Sequence, residues 1–157
     1  MLIMKVHALL RVRSCKAIHS RRLIITWANI PLSFQKRSRR ISRLECLTFS
    51  NFDIGLECAR NIALMLNQPN QRNAMKTLYF EDTDISDDAM AEIIEVALSA
   101  HPQLEELNFG ESSIGRNGCV ALGNTLKSWK NPNFKNLFLV NNSFDDEGLR
   151  ALVAGMM

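Results

Sequence analysis

A chain of 157 residues has room for one domain with a core large enough to fold alone, and its 46% hydrophobic and 22% charged content is ordinary for a soluble globular protein. The net charge of +3 hides an asymmetry: residues 1–44 hold eleven Lys or Arg and no acid, whereas residues 45–157 hold eight against sixteen Asp or Glu. A +11 segment therefore joins a −8 segment near residue 44.

The longest run without a charged residue, "LIITWANIPLSFQ" at 23–35, falls short of the roughly 20 residues a membrane span needs, and Pro31 interrupts it. No transmembrane segment is expected. The four cysteines, Cys15, Cys46, Cys58 and Cys119, form no C-x-x-C pair. That spacing supports neither a zinc site nor a dense disulfide framework, and small buried hydrophobes in a reducing compartment are the simplest reading.

Residues 1–43 show no repeat register. Their mix of apolar residues, Arg and Ser without acid is like that of a mitochondrial transit peptide. Two other readings stay open: a basic arm for acidic partners or membrane surface, and a degenerate edge segment or wrongly assigned start. "QKRSRR" at Gln35–Arg40 also reads weakly as a nuclear address. The location expected for the protein is cytoplasmic, or mitochondrial if residues 1–43 are a transit peptide.

From Leu44 onward one phrase recurs: "LECLTFSNFDI" from Leu44, "MKTLYFEDTDI" from Met75, "LEELNFGESSI" from Leu104 and "FKNLFLVNNSF" from Phe134. Positions 1, 4, 6 and 11 are apolar in each, and the starts are 31, 29 and 30 residues apart. Small or apolar residues follow four and eight places after position 11: Cys58 and Ile62, Ala89 and Ile93, Gly118 and Leu122, Gly148 and Leu152. Steps of four put them on one helix face. Pro69, Pro102 and Pro132 stand in the connections, where a helix ends and the chain turns back. "SDD" at Ser86–Asp88 and "DDE" at Asp145–Glu147 are placed to cap helix N-termini. The units are 44–74, 75–103, 104–133 and 134–157.

The pattern resembles the leucine-rich repeat family, in its ribonuclease-inhibitor-like class, over about residues 44–157. The family phrase L-x-x-L-x-L-x-x-N-x-L has Asn at its ninth position, where this chain has Phe52, Thr83, Ser112 and Asn142. Thr and Ser are expected to offer a side-chain oxygen to the turning backbone, whereas Phe52 cannot. The resemblance implies an α/β fold: a curved solenoid with a parallel sheet inside and helices outside, whose units bury their apolar faces only by stacking.

In such strands positions 4 and 6 point inward and positions 3 and 5 outward onto the concave face. The outward set is Cys46, Thr48, Thr77, Tyr79, Glu106, Asn108, Asn136 and Phe138, with Ser50, Glu81, Gly110 and Val140 at the strand exits and Asp82 and Glu111 beyond. The expected surface is mildly acidic with two aromatics, which suits a protein partner and has the wrong sign for nucleic acid. The candidate binding residues are Thr77, Tyr79, Glu81, Glu106, Asn108, Asn136 and Phe138.

Catalytic constellations are missing. "GESSIGRNG" approximates a phosphate-binding loop, but Arg116 and Asn117 replace its Lys and hydroxyl, and Glu111 lies inside the cradle. "EDTDISDD" lacks the central Gly and distal Glu of a calcium loop. His101, beside Pro102, reads as a solvated loop residue. No cofactor or metal site is expected. The function expected is a non-enzymatic protein–protein interaction scaffold, and "ALVAGMM", which leaves an apolar edge, is read as a sign of a longer array. The alternative is a regulator of another enzyme, as in the Ran GTPase-activating proteins and NOD-like receptors that carry the same repeat type.

Overall fold

The computed structural model describes residues 44–157 apart from Phe52, residues 70–72 and Lys130, together with the backbone of three strands in the preceding segment. Expectations that fall on Phe52, Cys15 and most of residues 1–43 lie outside the described residues. In chain order the elements are β1 (Lys5–Val6), β2 (Leu10–Arg13), β3 (Arg22–Thr26), β4 (Cys46–Ser50), α1 (Leu56–Leu66), β5 (Thr77–Glu81), α2 (Asp87–Ala100), β6 (Glu106–Asn108), α3 (Arg116–Ser128), β7 (Asn136–Phe138) and α4 (Asp146–Met156).

The fold is α/β. One sheet runs β1 to β7 in sequence order, antiparallel from β1 to β3 and parallel from β3 to β7. From β4 each strand leads into a helix, and consecutive helices pack side by side. The parallel register aligns Leu47 with Leu78, Leu107 and Leu137, at position 4 of every phrase.

Burial follows the phrase. Leu47, Phe49, Leu78, Phe80, Leu107 and Phe109 are fully buried, as are Ile54, Ile85 and Ile114 at position 11. Phe49, Phe80 and Phe109 stack in a row, with ring centroids 5.0 and 4.9 Å apart. The helix residues at steps of four close the same core, with Ala89, Ile93, Leu122 and Leu152 all buried. In the last unit Phe134, Leu137, Leu139 and Phe144 pack against the core but are only partly buried.

From β4 onward a left-handed residue follows each strand. Asn51, Asp82, Glu111 and Asn141 occupy position 8, with φ of 63°, 51°, 56° and 55°. Asn and Asp tolerate this conformation because their short polar side chains bond locally, and Glu111 is the exception. The turn then points the chain toward its helix.

At the ninth position Asn142 bridges units: its Oδ1 accepts from the Ile114 amide at 2.8 Å and its Nδ2 donates to the Phe109 carbonyl at 2.7 Å. Ser112 works the other way from expectation. Its buried hydroxyl lies 3.1 Å from the Phe80 and Gly110 carbonyls, to which it can only donate, and 3.2 Å from Thr83 Oγ1. A hydroxyl adapts to whichever backbone group faces it, and here carbonyls do.

The helix starts behave as capping chemistry requires. Ser86 Oγ accepts from the Ala89 amide at 3.3 Å and Asp145 Oδ1 from the Gly148 amide at 3.0 Å. α3 begins at Gly115, which offers no side chain, and its amide donates to Asp87 Oδ1 of the preceding unit at 2.8 Å.

One expectation is corrected here. His101 is fully buried, its Nε2 3.1 Å from the Leu66 carbonyl, so it ties the end of α2 to the end of α1. In the segment before residue 44, β3 pairs with β4 in parallel, setting Leu23 opposite Leu47 and Ile25 opposite Phe49.

Candidate binding surface

The face opposite the buried positions carries two rows of side chains across four strands. Thr48, Tyr79, Asn108 and Phe138 are aligned in one, and Cys46, Thr77, Glu106 and Asn136 in the other. The parallel ladder places them there because position 5 and position 3 of successive units face each other directly.

At the centre Tyr79 donates its hydroxyl to Glu106. Burial, that hydrogen bond and the nearby charge of Glu106 push the phenol up to about 12. Beside it Asn108 Nδ2 donates to Glu81 Oε1 at 3.3 Å, while Asn108 Oδ1 accepts from the Gly110 amide at 2.7 Å. The second bond orients the amide group, so its Nδ2 is turned toward Glu81. Tyr79, Glu81, Glu106 and Asn108 thus form one connected patch drawn from β5 and β6.

Phe138 extends the patch toward β7 and is 40% exposed, an apolar ring beside polar neighbours. Asn136 is exposed in the same strand and makes no side-chain hydrogen bond among the described residues. Thr77 and Thr48 are half-buried. Cys46, assigned to the outward set, is buried at 7% exposure and offers no surface to a partner. Among the described residues no Lys or Arg forms an ion pair with Glu81 or Glu106.

The strand exits hold a feature that strand-face reasoning missed. Asn51, Asp53, Asp82, Thr83, Asp84, Glu111 and Ser113 line an open pocket of about 550 Å³. The available signal was Asn, Asp or Glu recurring at position 8, which is left-handed in all four units. Among the described residues no group of three His, Cys, Asp or Glu is arranged to hold a metal ion.

The loop that approximates a phosphate cradle is already committed to the fold. The Ile114 amide donates to Asn142 and the Gly115 amide to Asp87, so two amides a phosphate would need face carboxylate or amide oxygens instead. Cys119 is buried, and burial together with Asp87 and Asp145 pushes its thiol up to about 11, where it is a poor nucleophile. Cys46, Cys58 and Cys119 are free thiols. No described helix is long and apolar enough to cross a membrane.

Neither a scan against protein-family models nor a search of curated proteins finds a match for this chain.

Proposed function

We propose that this chain is a leucine-rich repeat solenoid of the ribonuclease-inhibitor-like class and acts, without catalysis of its own, as a protein-interaction scaffold. The partner docks on the face carrying Thr77, Tyr79, Glu81, Glu106, Asn108, Asn136 and Phe138. The observation that supports this most is the connected patch of Tyr79, Glu106, Asn108 and Glu81 beside the exposed ring of Phe138. A large amphipathic aromatic held by a carboxylate keeps little freedom to lose on binding, which is the property of an interface anchor. Glu81 and Glu106, which meet no Lys or Arg among the described residues, favour a partner that brings cationic or hydrogen-bond-donating side chains.

The test is affinity for a partner captured on immobilised full-length protein and then purified. Replacing both Tyr79 and Phe138 by Ala should weaken binding by more than about 1 kcal/mol. Undiminished affinity in a variant that keeps the wild-type circular dichroism would move the binding surface elsewhere.

A further inference from the structure

Resting on the same binding face, we propose that its occupant is a polypeptide segment of segregated charge, with carboxylates at the end over β1 to β3 and cationic side chains at the end over β5 and β6.

The strand register sets this arrangement. Residues opposite one another across a ladder share a face, as do alternate residues along a strand. Arg22 pairs with Cys46, Cys46 with Thr77 and Thr77 with Glu106. Lys5 pairs with Arg11, Arg11 with Thr26, Thr26 with Ser50 and Ser50 with Glu81. Between these rows Arg13 stands in line with Ile24, Thr48 and Tyr79. Four basic residues, Lys5, Arg11, Arg13 and Arg22, therefore fall on the outer face in β1 to β3, and the sequence up to Leu44 holds no acid. The outer positions of β4 to β7 hold Glu81 and Glu106 and no Lys or Arg.

Distance keeps the two ends apart. Arg22 and Glu106 lie three strands from each other in their row, and so do Arg11 and Glu81. Three strand spacings are about 14 Å. That exceeds the roughly 8 Å over which exposed charges feel one another at physiological ionic strength. Neither end neutralises the other, so both keep their charge for an occupant. The strand between them, β4, places only Cys46, Thr48 and Ser50 on this face, all uncharged. An occupant of one sign, such as a nucleic acid, is drawn to one end and repelled at the other. A polypeptide with acid and base four residues apart spans about 14 Å when extended and satisfies both.

The test uses the full chain, isotope-labelled, and two end-capped synthetic peptides of equal composition and no net charge. In Glu-Glu-Ser-Ser-Arg-Arg each acid stands four residues before a base, whereas in Glu-Arg-Ser-Ser-Glu-Arg acids and bases adjoin. Titration at low salt, followed by amide NMR shifts, should show saturable binding of the segregated peptide that moves amides in both β3 and β6. The mixed peptide should bind about threefold or more weakly. Replacing Arg11 and Arg22 by Gln should erase that preference, and so should replacing Glu81 and Glu106 by Gln, in whichever variant keeps the wild-type spectrum. Shifts confined to β5, β6 and β7 that ignore charge order would overturn the segregated occupant and leave the binding face standing. No saturable shift on the outer face, a preference that survives the substitutions, or tighter binding of a single-stranded oligothymidylate would each overturn the proposal.

Discussion

At the scale of single residues, the strand exits show how backbone conformation selects side chains. Asn51, Asp82, Glu111 and Asn141 share one left-handed position, and three of the four are residue types that adopt it at low cost. Glu111 has no such advantage, and its longer side chain meets Asn141 Nδ2 only at 3.3 Å on the surface. Glu111→Asn should therefore raise unfolding stability by about 0.5–1 kcal/mol, and Asp82→Ala should lower it by about 1 kcal/mol, both read from urea midpoints. Equal midpoints for all three proteins would mean that position 8 is not strained. His101 marks the limit of reading at this scale. A histidine beside a proline in a connection looks solvated in sequence, yet it is buried against the Leu66 carbonyl of the preceding unit.

At the scale of elements, helix propensity and steric fit make opposite demands where α3 meets α4. Gly155 lies in α4 against the backbone of Gly123 in α3, and a methyl group there would overlap it. On propensity alone Gly→Ala in a helix gains up to about 1 kcal/mol. The contact decides instead, so Gly155→Ala should destabilise by about 1–3 kcal/mol in a urea titration. A stabilised variant would show that α4 does not pack against α3 in this way. Arg116 joins the same two elements, its guanidinium meeting Asp145 and Glu147, and it holds the Asp145 carboxyl below the usual range. The elements from Leu44 onward were legible because positions 4, 6 and 11 repeat with little drift. β3 was not, because no phrase with apolar residues at positions 1, 4, 6 and 11 runs through it, and only its pairing with β4 reveals it.

At the scale of the whole molecule, stacking converts repeated phrases into one core and one outer face. Phe80 lies in the middle of the aromatic row and is fully buried, whereas Phe138 stands on the outer face. Phe80→Ala should cost about 3–5 kcal/mol, a large share of the roughly 5–15 kcal/mol that holds a domain folded. Phe138→Ala should change stability by less than about 0.5 kcal/mol, which separates core from exposed face in a single pair of melts. The alternation of inward and outward positions made the outer face readable in sequence. The Tyr79–Glu106 and Asn108–Glu81 links were not, because they join residues 27 apart through the register of neighbouring strands rather than along the chain. The central claim is that this register brings Tyr79 under Glu106 to build a single surface, and Tyr79 is the only tyrosine in the protein. Ultraviolet titration of its phenolate tests that claim directly. Because the folded phenol is raised to about 12 from its ordinary 10, it should ionise near 12, and stability should fall as pH rises from 10 toward 12. Glu106→Gln should bring the midpoint back toward 10. A midpoint near 10 in the wild-type protein, unmoved by that substitution, would contradict the assembled surface.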